Sequence, residues 1–367
     1  MNNPLPRILL APMEGVIDHT MRALLTELGA VDRCVTEFLR VSHELLPPRV
    51  FYRICPELRS DGLTPSGTPV YLQLLGGKPE VVADNAARGA ELGAPGIDLN
   101  FGCPAKTVNR SDGGSVILRE PERVYAIVSR TRAAVPADLP LSVKIRLGFS
   151  DASRFLDVVA GVAAAGADEL VVHARTREDG YRPPAYWEQI RRAREITDLP
   201  LVANGEIWSV EDACRAREES GTRDLMLGRG VLCRPDLPRL LRAADEGRQQ
   251  QALHFDDVRA LLLHYLSVTL AHYDARHAAN PIKQWLGYLR HYYPQAAALF
   301  ATIKRLRDPA ELRRALTQGM DEEALSARRQ AMMFVERPHR GVPPLQCATE
   351  SSAPRAGSSR KSNAIAA

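Results

Sequence analysis

Paired cysteines are missing from this chain: its six, at positions 34, 55, 103, 214, 233 and 347, include no CxxC and no zinc-finger spacing. That scatter argues against a disulfide framework and against a structural metal site, and no metal ligands are assigned. A run of about 18 apolar residues is also missing, so no membrane-spanning helix is expected. The opening Met1-Asn2-Asn3-Pro4-Leu5-Pro6-Arg7 lacks the basic and apolar segments of a secretory signal, and the expected location is the cytoplasm. An excess of one sign of charge is also missing: 48 Lys and Arg against 44 Asp and Glu leave +4, too little to name a polyanionic partner from bulk electrostatics. No G-x-G-x-x-G follows the first apolar run and no P-loop occurs, so a Rossmann-type dinucleotide site is not supported.

What is present is a repeat of short β-branched runs and longer helical patterns, the mark of parallel strands joined by helical crossovers. Strands are expected at 7–13, 34–41, 69–75, 96–100, 141–147, 169–174, 200–203 and 224–227. Eight strands over roughly 230 residues fit a (β/α)8 TIM barrel better than a doubly wound sheet. Helix signals lie between them: helical spacing over 79–92, Pro121 at a first helical position, and Gly166 and Gly221 as stops. The expected division is a catalytic barrel over 1–250, an all-helical domain over 251–335 and a disordered tail over 336–367, rich in Ser, Pro, Gly and Ala.

In a TIM barrel the chemistry sits at the C-terminal ends of the strands, and here those ends are rich in polar groups. The first carries Ala11-Pro12-Met13-Glu14-Gly15 and the third Gln73. The fourth ends in Asn100-Phe101-Gly102-Cys103-Pro104, the fifth holds Val143-Lys144-Ile145-Arg146, and the sixth ends in His173-Ala174-Arg175. Asn204-Gly205-Glu206 and Gly228-Arg229-Gly230 close the set. Glycines 205, 228 and 230 let backbone N–H groups approach a phosphate, and Arg229 supplies charge. Lys144 and the Gln73 amide suit the carbonyl edge of a planar ring, with the lysine stabilising an anionic reduced form. Such a pocket fits flavin mononucleotide (FMN).

These motifs resemble the tRNA-dihydrouridine synthases over about residues 9–316. Thr36-Glu37-Phe38-Leu39-Arg40-Val41, Phe51-Tyr52-Arg53-Ile54-Cys55-Pro56-Glu57-Leu58 and Ile282-Lys283-Gln284-Trp285-Leu286-Gly287-Tyr288-Leu289-Arg290 look most like the bacterial DusC branch, which acts on uridine 16 of tRNA. The resemblance implies an oxidoreductase that reduces the C5=C6 bond of a D-loop uridine. In it NADPH reduces bound FMN, N5 gives hydride to C6, and the Cys103 thiol, as a general acid, gives a proton to C5. It implies FMN contacts at Pro12, Met13, Glu14, Gln73, Lys144, His173, Asn204, Gly205, Glu206, Gly228 and Arg229. It implies tRNA contacts at Arg40, Asn100, Arg175, Tyr181, Lys283, Trp285 and Arg290. Two positions depart from the family pattern: Phe101 is expected to add bulk beside the substrate pocket and Ala174 a methyl near the cofactor.

Residues 254–331 show helical periodicity and gather Lys283, Trp285, Arg290, Lys304, Arg305 and Arg307, a mix suited to phosphate contact and stacking. On an ideal helix Trp285 stands about 200° from Lys283, so a core position for it stays open. Two other functions compete with the tRNA reading. One is an FMN barrel reducing a free pyrimidine, as dihydroorotate dehydrogenases do; the other is a non-catalytic tRNA-binding module. No obligate protein partner is indicated.

Overall fold

Nine parallel strands form one sheet in the computed structural model, which describes residues 4–333. They are β1 (Ile8–Leu10), β2 (Arg33–Val35), β3 (Leu39–Arg40), β4 (Val70–Leu75), β5 (Ile97–Phe101), β6 (Leu141–Gly148), β7 (Glu169–Thr176), β8 (Leu201–Asn204) and β9 (Asp224–Leu227). Their order is β2-β1-β9-β8-β7-β6-β5-β4-β3, and β2 also pairs with β4, so the sheet closes into a TIM barrel. The expected tail at 336–367 lies outside the described residues.

The barrel has eight staves because β2 and β3 share one. The single strand expected at 34–41 is broken at residues 36–38, where side chains leave the ladder for other partners. Thr36 Oγ1 accepts from the Gln73 N–H at 3.0 Å, and the Glu37 carboxylate accepts the Gly15 N–H. The first strand also stops early, at Leu10, since Pro12 has no N–H to donate. The proline-opened helices follow expectation: Pro79–Glu91 and Pro121–Ala134 each begin on proline. Gly221 ends the Val210–Ser220 helix in the left-handed conformation, φ +69°.

Alternation along each strand divides the core in two. Ile97, Leu99 and Phe101, like Leu170, Val172 and Ala174, face outward into the apolar layer shared with the helices. Leu9, Ala11, Val35, Val171, Val202 and Met226 face inward as a separate cluster. Phe101 and Ala174 therefore fill the helix-facing core, and the expectation that they crowd the pocket is corrected by their parity on the strand. At the N-terminal end of the barrel Glu169 binds Arg7 at 2.6 Å and also pairs with Arg33, whose guanidinium lies 4.3 Å over Tyr71. A cavity of about 240 Å³ lies beside these ion pairs, at the end opposite the C-terminal ends of the strands.

Five helices follow the barrel: Phe255–His272, Ala279–Leu289, Pro294–Ile303, Pro309–Thr317 and Glu322–Met333. Trp285 fastens them to it. Its ring is 1% exposed, packs edge-on against Tyr265 at 5.6 Å, and donates Nε1–H to the Leu232 carbonyl at 3.0 Å. No face is left for a base, so Trp285 is a core anchor, not an RNA contact. Tyr273 adds a hydrogen bond to Asp18 at 2.6 Å and Gln284 one to the Gly15 carbonyl at 2.9 Å. Among the described residues no helix is long and apolar enough to cross a membrane.

Truncating a buried tryptophan costs about 3–5 kcal/mol. Trp285→Ala is expected to lower unfolding free energy by that amount in urea titration; an unchanged midpoint would contradict the anchoring role.

Candidate active site

The mouth of the barrel is a belt of inward-pointing polar side chains, set there by strand register. Gln73 stands beside Asp98, Asn100 beside Lys144, Arg146 beside His173, and His173 beside Asn204. Below the belt the interior turns apolar, with Leu9, Val35, Val171 and Val202. A polar group above such a floor must find a partner or pay the full cost of lost hydration.

Lys144 shows the cost. Its ammonium donates to Asn204 Oδ1 at 2.9 Å, and Asn204 in turn donates to the Met226 carbonyl at 2.7 Å. Burial, reinforced by the nearby Arg146 charge and opposed by Asp98, pulls the Lys144 pKa down to about 8. His173 is pushed well below the usual imidazole range by burial and by the surrounding Arg and Lys charges, so it is neutral at pH 7. Among the described residues its Nδ1 has no hydrogen-bond partner, nor has Nη1 of the fully buried Arg175. Arg175 otherwise donates to the Arg182 and Pro184 carbonyls and pairs with Glu206. Buried in this way, it lies under the β7 loop and offers no surface to the body of an RNA.

Cys103 follows β5 on a loop pinned from both sides. Asn100 Oδ1 accepts the N–H groups of Gly102 at 2.9 Å and Cys103 at 3.0 Å. Arg146 donates Nε–H to the Gly102 carbonyl at 2.8 Å and bridges to the Thr176 and Gly180 carbonyls, both at 2.9 Å. The Cys103 carbonyl accepts from Asn109 Nδ2 and Ser115 Oγ. The thiol itself is half-buried, and burial raises its pKa, with Glu14 adding to the rise while the Ala105 N–H and Arg146 oppose it. It is therefore a protonated thiol at neutral pH. Asn100 was expected to meet substrate; its oxygen is committed to the loop and its Nδ2 donates to Gln73 Oε1 at 2.7 Å.

The phosphate-end residues divide. Gly205, at φ +110°, needs the freedom of glycine, and a Cβ there would stand 3.0 Å from the His173 ring. At Gly228 a Cβ would make ordinary contact with Ala11 and Met13, each 3.7 Å away. Gly230 is different: a Cβ would lie 2.1 Å from the Ile207 carbonyl, so this glycine serves close packing. Arg229 lies 3.7 Å from Glu206 and over the rings of Tyr181, at 4.8 Å, and Trp208, at 4.9 Å. Tyr181 itself is 52% exposed at the rim, with the Arg146 guanidinium 5.3 Å from its centroid. Pro12 and Met13 are half-buried at the rim, and burial next to Glu37 raises the Glu14 carboxyl pKa.

Of the other expected RNA contacts, Arg40 and Arg290 are exposed, whereas Lys283 donates its ammonium to the Leu306 carbonyl within the helical region. Sequence reasoning missed Asp98, Ser142 and Arg146 as site residues. Each stands two positions from a polar residue already singled out, on the same inward face, and that spacing was the available signal.

Residues 9–328 match the family model described as dihydrouridine synthase. The chain belongs to the dihydrouridine synthase family. It is 47% identical over 321 residues to the tRNA-dihydrouridine(16) synthase of Pseudomonas putida, spanning 88% of this chain and 99% of that protein. With the protein of the same name from Ralstonia nicotianae it shares 48% over 320 residues, 87% of this chain and 96% of the relative. The Vibrio cholerae protein of that name is 47% identical over 301 residues, 82% and 92% of the two chains. Among solved structures, histamine dehydrogenase from Rhizobium sp. 4-9 aligns with a TM-score of 0.50 at 17% identity, over 70% of this chain and 48% of that one, a likeness of fold. As a dihydrouridine synthase the chain is an oxidoreductase of tRNA modification.

The depression of Lys144 from 10.5 to about 8 carries a stability signature. Below pH 8 both folded and unfolded chains are protonated and the folded state bears the whole burial cost, about 3 kcal/mol. Between pH 8 and 10.5 the folded chain gives up its proton first and the cost fades. Cofactor-free Lys144→Met is therefore expected to be more stable than wild type at pH 7, by up to that figure less the Asn204 bond, with the gap closing by about pH 10.5. Chemical denaturation across this range measures it, and a gap that widened with pH would reverse the sign of the argument.

Proposed function

We propose that this chain reduces the C5=C6 bond of uridine 16 in the tRNA D-loop to dihydrouridine, with FMN bound in the barrel and NADPH as reductant. The observation that carries the reading is a protonated, half-buried thiol on a pinned loop, one strand from a buried lysine at the mouth of a closed barrel. The relatives named tRNA-dihydrouridine(16) synthase support the choice of uridine. The proposed place of work is the cytoplasm, and the proposed division is a barrel over 1–250 and a tRNA-gripping helical domain over 251–335.

The residues fit FMN. Lys144 is a buried cation whose single protein partner among the described residues is a neutral amide, a state that favours an anionic or electron-rich ring beside it. Gln73 retains one N–H and one lone pair after its protein bonds, suited to a ring edge that carries both an acceptor and a donor. Arg229, with the glycine turns at 205 and 228, would hold the phosphate, and the unpartnered His173 Nδ1 and Arg175 Nη1 await a ligand or water. Pro12, Met13, Glu14, Asn204 and Glu206 would line the same cleft. When bound, FMN recharged by NADPH supplies the hydride that goes to uracil C6.

The protein's part is then proton transfer and orientation. Sγ of Cys103 gives its proton to C5 as the hydride arrives at C6, and the thiolate left behind is reprotonated from solvent. Its raised pKa keeps the acid form in place. A base buried in a folded tRNA must be extruded to reach this depth, and Tyr181 at the rim offers a ring to receive it. Arg290, Lys304, Arg305 and Arg307 are exposed on the helical region, and Arg40 on the barrel, to meet phosphates.

Cys103→Ala is expected to keep FMN and tRNA binding and to lose about 100-fold or more in turnover. Rapid mixing of the reduced variant with dihydrouridine-free tRNA reads this directly; flavin oxidation at the wild-type rate would remove the thiol from the reaction. Turnover of free uracil or orotate, with none of tRNA, would favour a small-molecule reductase instead. Arg290→Ala is expected to flatten the slope of log affinity for tRNA against log salt by about one unit. Lys283→Ala, whose ammonium already serves Leu306, should leave that slope near wild type; the reverse pattern would exchange their roles.

A further inference from the structure

The side chains linking the barrel interior to the Cys103 loop run in one direction. Asp98, wholly buried on β5, accepts from Gln73 Nε2 at 2.6 Å and from Ser142 Oγ at 2.5 Å. Gln73 Oε1 then accepts from Asn100 Nδ2, and Asn100 Oδ1 accepts the backbone N–H groups of Gly102 and Cys103. An amide can present either end to a neighbour, but an ionised carboxylate only accepts, so the Gln73 NH2 must point to Asp98. The oxygen of Gln73 is thereby aimed at Asn100, and the oxygen of Asn100 at the loop.

We propose that Asp98 is a positioning residue: it orients the amides of Gln73 and Asn100, and through them fixes both the face Gln73 turns to the cofactor and the backbone of the Cys103 loop. The cofactor half of this inference rests on the flavin reading above; the loop half does not. If Asp98 is removed, Gln73 Nε2 is stranded in the barrel and must turn to find another acceptor, taking its oxygen from Asn100. An asparagine at 98 would keep the relay, since its oxygen can accept from Gln73 while its NH2 donates to Ser142 Oγ, which accepts as readily as it donates. Asp98 also lies close enough to Lys144 to influence its charge, and the asparagine variant separates that effect from the relay.

The test reads the Cys103 loop without turnover. Full-length wild type, Asp98→Leu and Asp98→Asn are alkylated with iodoacetamide, and the Cys103 peptide is followed by mass spectrometry; FMN affinity is measured by fluorescence quenching. Expected for Asp98→Leu are alkylation faster by about fivefold or more and FMN affinity weaker by about tenfold, the loss of one or two buried hydrogen bonds. Asp98→Asn should stay within about threefold of wild type in both. Wild-type behaviour of a folded Asp98→Leu overturns the proposal, and so does an Asp98→Asn as impaired as the leucine variant, which would assign the effect to charge. Should Asp98→Leu not fold, Gln73→Met breaks the same chain one link nearer the loop, and unchanged Cys103 alkylation there is equally fatal. A wild-type protein inactive on tRNA would defeat the proposed function and leave the alkylation result standing.

Discussion

An ammonium group inside a β-barrel is the constraint around which this molecule is arranged. Lys144 stands on the inner face of β6, above an apolar floor, with a neutral asparagine as its hydrogen-bond partner. An isolated buried charge is among the costliest features a fold can carry, and one balanced directly by a carboxylate would be chemically spent. Here Asp98 is near enough to moderate the charge but is itself committed to Gln73 and Ser142. The barrel thus retains a cation whose electrostatic attraction is still available to a ligand. The stability to tolerate this comes from elsewhere, chiefly the outer helix-facing apolar core.

The same economy explains the thiol. A cysteine with the acid role proposed for Cys103 needs a high pKa and a fixed position; burial raises the first, and the loop's hydrogen bonds supply the second. Arg146 holds that loop to the one after β7, while Asn109 and Ser115 hold its carbonyl. Arg146 also tends to lower the pKa of the thiol, so its usefulness lies in geometry. Burial outweighs its charge.

Strands were readable in the sequence because inward and outward positions are both buried, giving runs rich in β-branched and aliphatic residues that single polar residues such as Gln73 and Lys144 interrupt. The broken stave was not read: the run at 34–41 carries Thr36 and Glu37 near its middle, but the break there depends on their finding partners on other segments, Gln73 and Gly15. Phe101 and Ala174 show a second limit. Standing next to Asn100 and His173 in sequence, they lie on the opposite face of the strand, and strict alternation separates them from the pocket. Trp285 shows a third. Its neighbours Lys283 and Arg290 suggested a nucleic-acid surface, yet its burial follows from Tyr265 and Leu232, 20 and 53 positions away in the chain. Asp98 is the instructive omission, since an acid inside an apolar strand, two residues from Asn100, is a signal that period-two reasoning already contained.

The loop after β1 joins the two halves of the molecule. Its Gly15 carbonyl accepts from Gln284 of the helical region and its Gly15 N–H goes to Glu37 of the broken stave; three residues on, Asp18 accepts from Tyr273. The same loop carries Pro12, Met13 and Glu14 at the barrel mouth, and Met13 lies beside Gly228. Two hydrogen bonds therefore join the helices directly to the rim of the cavity. Trp285, seated against the carbonyl of Leu232 in the helix that begins at Arg229, gives a second tie to the neighbouring part of the rim, since β9 pairs with β1. On the proposed function, a tRNA gripped by the helices would reach the barrel mouth across these ties, which set the separation between grip and chemistry. A reach set in this way, and not by recognition of the base alone, is a physical basis on which an enzyme of this fold can select one position in a folded RNA among many identical bases.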